Sequence, residues 1–279
     1  MFLASIEQNV KGIYIEKPFV RNLEEVDLIK PQASLKGTKI AIAHRNRYHP
    51  DLKTIDQILA NEGENKIGKL LAIRGRGKGD RRGGGEDLWV LGTHVLNLMH
   101  YFGGAPVSCS AQIFDSGKLA TKDDIKPGNE ALGPLVGDAI HARYVMGNGV
   151  PGFFSSQAHD GTKNKGFGLQ LIGSEGTVII HCDGRPLAHY RKGNPLDPKN
   201  THTWVVIGDK DKNTIDQVHN HIMPCMDLIE SVAQDRQPIC NLDEGIWTVE
   251  MVMAVFASHS ANGKSVELPL TNRNHPLAL

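Results

Sequence analysis

Gly12-Ile13-Tyr14-Ile15-Glu16-Lys17-Pro18 is the stretch on which the reading of the whole chain turns. A short β-prone run meets a proline, which cannot continue a central ladder, so the strand ends at the lysine. Before it, Met1 to Asn9 reads as the tail of a helix. After it, Asn22 is a helix N-cap followed by Leu23, Val26, Leu28 and Ile29, with acids in the first turn. Lys39 to Ala43 is a second strand of the buried type, and Pro50 opens a helix with Leu52, Ile55, Ile58 and Leu59 on its apolar face. Strand, helix, strand, helix is the grammar of a parallel sheet with crossover helices. Two strands alone do not make a stable doubly wound sheet.

From about Ile67 the grammar changes. Leu70 to Arg76 is strand-like, and Gly83 to Tyr101 reads as a glycine-rich lead into one helix. Asn148-Gly149 is a hairpin signal between strands at Ala139–Val145 and Phe153–Gln157. Gly173-Ser174-Glu175-Gly176 joins a second hairpin, Leu169–Ile172 with Thr177–His181. Thr203 to Ile207 is another strand. Two helices close the chain, one from Thr214 to Gln234 and one capped by Asp243 that stops near Gly263. The expected fold is α/β followed by α+β: a parallel βαβ segment over residues 1–63, then a larger, mostly antiparallel open sheet with flanking helices over 64–279.

Composition narrows the function classes. The 279 residues are 40% hydrophobic and 22% charged, with 31 basic and 31 acidic side chains. That balance argues against a nucleic-acid-binding protein. Cys109, Cys182, Cys225 and Cys240 fit no zinc spacing and read as buried thiols of a reducing compartment, so no metal site is expected. No apolar run is long enough to span a membrane, and residues 1–10 do not resemble a signal peptide. The default expectation is a cytoplasmic protein, with an exported full-length form left open.

Three groups could carry chemistry. Lys17, with Glu16 and Pro18, stands at the carboxyl end of a parallel strand, where open α/β sheets bind ligands. His94 follows Gly83-Gly84-Gly85 and lies one turn from Leu91 and Leu98, so it points partly inward. Asp87, at i−7, is read on the same helical face as His94. His44-Arg45-Asn46-Arg47-Tyr48-His49 sits at the end of the second strand, again where the sheet meets its crevice. His219 and His221, two apart in a predicted helix, do not share a face. Gly75-Arg76-Gly77-Lys78-Gly79 is not followed by a helix pattern and is not read as a dinucleotide fingerprint.

Taken in order, these pieces resemble the Gfo/Idh/MocA oxidoreductase family (glucose-fructose oxidoreductase and inositol dehydrogenase are its type members). Ile13 to Pro18 looks like the family's strand ending in Glu-Lys-Pro. Gly83 to Asn97 looks like its glycine-rich segment leading to a Gly-x-His on the active-site helix. Phe167 to Val178 and Lys264 to Leu270 look like its sheet-domain hairpin and final strand. The resemblance departs in two places. The family opens with a strand and a G-x-G-x-x-G-type turn, and this sequence has no such motif, so an N-terminally truncated chain is expected. Many members also carry an Asp one turn before the histidine, where this chain has Val90.

The resemblance implies a partial Rossmann domain over 1–63, a substrate and oligomerisation domain over 64–279, and a homo-oligomer formed through the sheet. It implies hydride transfer between NAD or NADP and a sugar or polyol hydroxyl carbon, with weak or no cofactor binding expected of the truncated chain. It implies His94 and Lys17 as the catalytic pair, Glu16, Lys17, Pro18 and Arg45 beside the cofactor, and Arg47, Arg82, Asp87 and Thr93 beside the substrate. Two alternatives stay open: an NAD-dependent glycosidase or lyase, and a cofactor-less binding or assembly module.

Overall fold

The structure, a computed structural model, describes residues 2–162, 165–183, 187–208 and 211–278. Helix α1 (Phe2–Glu7) leads to β1 (Gly12–Ile15), α2 (Leu23–Lys36), β2 (Lys39–Ile42) and α3 (Asp51–Leu59). β1 and β2 pair in parallel, with Ile13 opposite Ile40 and Ile15 opposite Ile42. The expected caps of α2 are present: the Asn22 carboxamide accepts from the Glu25 amide, and Gly37 ends the helix at φ 62°.

The chain then crosses to the second sheet through β3 (Leu70–Arg76), followed by α4 (Gly85–Val90) and α5 (Gly92–Gly103). Next come β4 (Ser108–Asp115), β5 (Lys118–Leu119), and the short pair β6 (Lys126–Pro127) and β7 (Pro134–Leu135). β8 (Ala139–Val145), β9 (Pro151–Gln157), β10 (Gly168–Gly173), β11 (Gly176–His181), β12 (Ala188–Lys192) and β13 (Val205–Ile207) follow. Helices α6 (Lys212–His219), α7 (Ile222–Ala233) and α8 (Leu242–Ser260), then β14 (Val266–Glu267), complete the order. The large sheet runs β13-β12-β11-β10-β3-β9-β8-β4-β14, with β5 on β4. Every pair in it is antiparallel except β3 with β9.

Period-two burial separates the two faces of this sheet. Ile140, Ala142, Tyr144, Phe154, Leu169, Leu171, Val178 and Ile180 are buried on the inner face, which α5 and α8 cover. The buried Tyr144 hydroxyl donates to the Met251 carbonyl of α8 at 3.0 Å. The outer face is uncovered and carries the exposed Arg74, His141, Arg143 and Phe153. The two sheets share one core. Ala41 makes an antiparallel bridge with Asn241, the Ile42 amide donates to the Cys240 carbonyl at 2.9 Å, and α8 runs on from there beneath the large sheet.

The local boundaries differ from expectation in four places. The helix expected from Thr214 to Gln234 is two helices, because His221 adopts a left-handed φ of 61°. The glycine-led helix is also two, divided where Leu91 sits at φ −116°. α8 is capped by Asn241, not Asp243: its carboxamide accepts from the amides of Asp243 and Glu244. β4 and β12 were not foreseen, since they carry few β-branched or aromatic residues.

One buried ionic group locks α5 and α8 to the turn after β2. The Arg47 guanidinium bonds the Glu244 carboxylate and lies 4.4 Å over the Tyr101 ring. His100 Nδ1 is 3.2 Å from the same carboxylate. Burial alone would raise Glu244, but His100 and Arg47 outweigh it and hold the carboxyl down to about 2.

Two predictions follow from these contacts. Asn241→Ala should lower stability by about 1 kcal/mol in urea unfolding, the usual loss for a side-chain cap. The Glu244 carboxyl is held below its ordinary value of 4.5, so the unfolded chain takes up its proton first as pH falls. Its stabilisation is therefore complete above pH 4.5 and lost on the way down to about 2. Glu244→Gln should be less stable at neutral pH and show a flatter acid-unfolding curve across that window. An unchanged curve would exclude this pair as a source of stability.

Candidate active site

The carboxyl ends of β1 and β2 meet the large sheet and its helices along a seam, with Lys17, His44 and Arg45 on one side and Val90, His94 and Asp183 on the other. Lys17 stands at the end of β1, and the Lys17–Pro18 peptide bond is cis. Its ammonium reaches across the seam and donates to the Val90 carbonyl at 2.5 Å. That carbonyl is exposed to the lysine by the break at Leu91. The His94 amide donates to Leu91 O at 3.0 Å rather than to Val90. So the position four residues before His94 meets the lysine through its backbone, without needing an acidic side chain.

The same break aims His94 at this point. His94 is 9% exposed, and its ring meets that of His44, from the end of β2, edge to face at 5.7 Å. Burial, then the charges of Lys17, His44, Arg45 and His221, holds the His94 imidazole well below its ordinary range. His44 is pushed down to about 3, by burial first and then by Lys17 and Arg47. Both imidazoles are therefore neutral near pH 7. Among the described residues His44 Nδ1, Arg45 Nε, Thr93 Oγ1 and His94 Nδ1 are buried polar atoms with no hydrogen-bond partner. Buried polar atoms are rarely left so, and these four remain available to a polar group.

Two further contacts frame the seam. Tyr14 and His221 hydrogen-bond through Oη and Nδ1 at 2.5 Å, and His221 Nδ1 lies 3.8 Å from the Glu16 carboxylate. On the large-sheet side, Asp183 joins Arg45 at 3.2 Å and Lys78 at 2.7 Å. Arg45 also donates to the His219 carbonyl at 3.5 Å.

Lys17, His94, Arg45 and the His44 strand end thus converge, and Glu16 and Thr93 flank them. Three expectations need correction. Arg47 is turned into the buried group with Glu244 and Tyr101, where it is 7% exposed and spent on packing. Asp87 is fully buried and does not continue the face of His94, because α4 and α5 are separate helices. It accepts from the Ser156 hydroxyl at 2.5 Å and the Lys78 amide at 3.1 Å, and burial raises its pKa. Arg82 is engaged by Asp80 two residues earlier, with Nη2 at 2.5 Å. A Cβ on Gly83 would come within 1.8 Å of Ala158 N, and Gly84 has φ 81°, so the glycine run lets the chain lie against its own backbone. Sequence reasoning missed His221, Lys78 and Asp183. His221 was legible only as one member of a histidine pair, and Asp183 carries no local signal at all.

Residues 64–268 match the family described as the oxidoreductase family, C-terminal alpha/beta domain, GFO_IDH_MocA. No curated protein sequence matches the chain. Among solved structures, levoglucosan dehydrogenase in complex with NADH and levoglucosan is similar at TM-score 0.73 and 17% identity, over 96% of this chain and 76% of that one. An NAD binding oxidoreductase from Klebsiella pneumoniae is similar at 0.70 and 18%, over 96% and 76%. Aldose-aldose oxidoreductase from Caulobacter crescentus, complexed with glycerol, is similar at 0.69 and 18%, over 96% and 75%. At these identities the structural likeness speaks for the fold. The family match covers most of the chain and agrees with it, and the chain belongs to the Gfo/Idh/MocA oxidoreductase family.

Proposed function

We propose that this chain is the catalytic part of an NAD- or NADP-dependent oxidoreductase that moves a hydride between the nicotinamide and a sugar or polyol hydroxyl carbon. The convergence of Lys17 and His94 on one seam carries the reading. The neighbours solved with NADH and with sugars support it by analogy of fold. In this reading residues 1–63 form the cofactor side and 64–279 the substrate side. Glu16, Lys17, Pro18 and Arg45 would hold the nicotinamide end, and the unpartnered Arg45 Nε and Thr93 Oγ1 fit a polar carboxamide or hydroxyl there. The sequence has no glycine-rich dinucleotide turn, so the fit extends to the nicotinamide end alone.

A bound nicotinamide supplies the hydride acceptor. The rest falls to the chain. Oxidising a secondary alcohol also removes the hydroxyl proton, which needs a neutral base within reach. His94 is neutral for the reasons above and has a free ring nitrogen. Lys17, held by Val90 O, is the cation beside the developing oxyanion. Its charge also resists protonation of His94, so the imidazole returns the proton readily.

His94→Asn should lower kcat by about 100-fold or more, the scale of a lost general base, with the melting temperature close to the parent's. Activity within a few-fold of the parent would remove His94 from that role. Lys17→Met takes away a positive charge that depresses His94, so the acid limb of the pH–rate profile should move to higher pH. A limb that stays in place would separate the two groups. Turnover of a glycoside without net NADH formation would favour the oxidation–elimination–reduction route. Failure to bind either dinucleotide would favour a binding module. The uncovered outer face of the large sheet, with Phe153 at 37% exposure, favours a homo-oligomer. Phe153→Arg should reduce the mass seen by sedimentation, and an unchanged mass would place the interface elsewhere.

A further inference from the structure

Beside the strand ends, Arg45 is joined to two residues that the hydride-transfer reading does not use, Asp183 and Lys78. Arg45 comes from the turn after β2, and Lys78 from the loop after β3, so the two cations belong to opposite walls. Asp183, just beyond β11, is shared between them: Oδ1 meets Arg45 Nη2 at 3.2 Å and Oδ2 meets Lys78 Nζ at 2.7 Å. The cations are about three-quarters covered, at 24% and 21% side-chain exposure, whereas Asp183 is 40% exposed. Arg45 keeps a buried Nε with no partner among the described residues. Its bond to Asp183 is a single contact, not the forked pair that gives Arg–carboxylate recognition its strength. Arg45 follows His44, whose ring meets that of His94 edge to face at 5.7 Å, so this end of the bridge adjoins the proposed reacting centre.

Among the described residues, two cations, Arg45 and Lys78, share the single carboxylate of Asp183. A neutral sugar would leave this excess of positive charge partly desolvated. A carboxylate or phosphate would meet it with the same two-oxygen bridge that Asp183 now makes.

We propose that Arg45 and Lys78 form an oxyanion subsite at the seam, occupied by Asp183 in the ligand-free chain, and that the substrate is an acidic sugar whose anionic group displaces Asp183. The inference rests on the seam being the substrate site. It adds a substrate class to that reading.

D-gluconate and D-glucitol share one polyol skeleton and differ by the carboxylate, so calorimetric titration of the intact chain with each isolates the charge. Gluconate should bind about tenfold tighter or more, the scale of one charge-assisted hydrogen bond, and the advantage should shrink with added salt. Lys78→Met should weaken gluconate by about the same factor. Asp183→Asn removes the internal competitor and should tighten gluconate. If Asp183 only ties the two walls together, that substitution would loosen the site and weaken binding, so the sign decides. Equal binding of the two polyols, no gluconate binding, or weaker binding by Asp183→Asn overturns the proposal. Displacement of gluconate by NADH overturns the substrate assignment as well, since the cations would then serve the cofactor's phosphates. All of this is read at equilibrium. An acid-selective site without turnover would count against the redox reading alone, and turnover of neutral sugars without acid preference against this inference alone.

Discussion

The ammonium of Lys17 and the backbone carbonyl of Val90 meet across the gap between two sheets that are far apart in sequence. That bond exists because the helix after the glycine run is broken at Leu91, so the His94 amide turns to Leu91 O and a carbonyl is left for the lysine. The same break sets the direction of His94. Strand end, helix break and imidazole are thus one construction. Moving any of them would separate the ammonium from the imidazole.

The electrostatics of the seam follow from this arrangement. Several cations gather around two buried imidazoles, and both rings are kept neutral by burial and by those charges. A neutral imidazole beside a fixed ammonium is suited to passing a proton to and from an alcohol, because neither group has to reorganise first. The counterweight lies outside the seam. Arg47 is paired with Glu244 and stacked on Tyr101 between α5 and α8, and from there its charge still lowers His44. The fold therefore spends one arginine on holding the walls and leaves Arg45 at the seam.

The shared core explains how such a seam stays in register. A two-stranded parallel sheet has little stability of its own. Here β2 continues into the segment leading to α8, through the Ala41–Asn241 bridge and the bond from Ile42 to Cys240, and α8 lies beneath the large sheet. The small sheet is carried as an extension of the large one. Its strand ends are positioned by the packing of α8 and not by strand pairing alone.

Local patterns in the sequence were enough to establish the strand–helix–strand–helix opening, the two hairpins, the Asn22 cap and the candidacy of Lys17 and His94. Each of these depends on neighbours within a few residues: a proline after a β run, Asn-Gly between strands, a carboxamide before an acidic turn. Strands β4 and β12 escaped notice because they hold few β-branched or aromatic residues, and it is pairing with β8 and β11 that makes them strands. The fate of Arg47 and Asp87 was equally hidden. As residue types they suit a sugar site, but Glu244 lies 197 positions from Arg47 and Ser156 lies 69 from Asp87. The Asp183 bridge joins residues 138 and 105 positions apart. Sequence alone determined which groups could do chemistry at the end of a strand. Tertiary structure decided which of them meet at the seam, because burial and long-range ion pairs consume polar groups that look identical in one dimension.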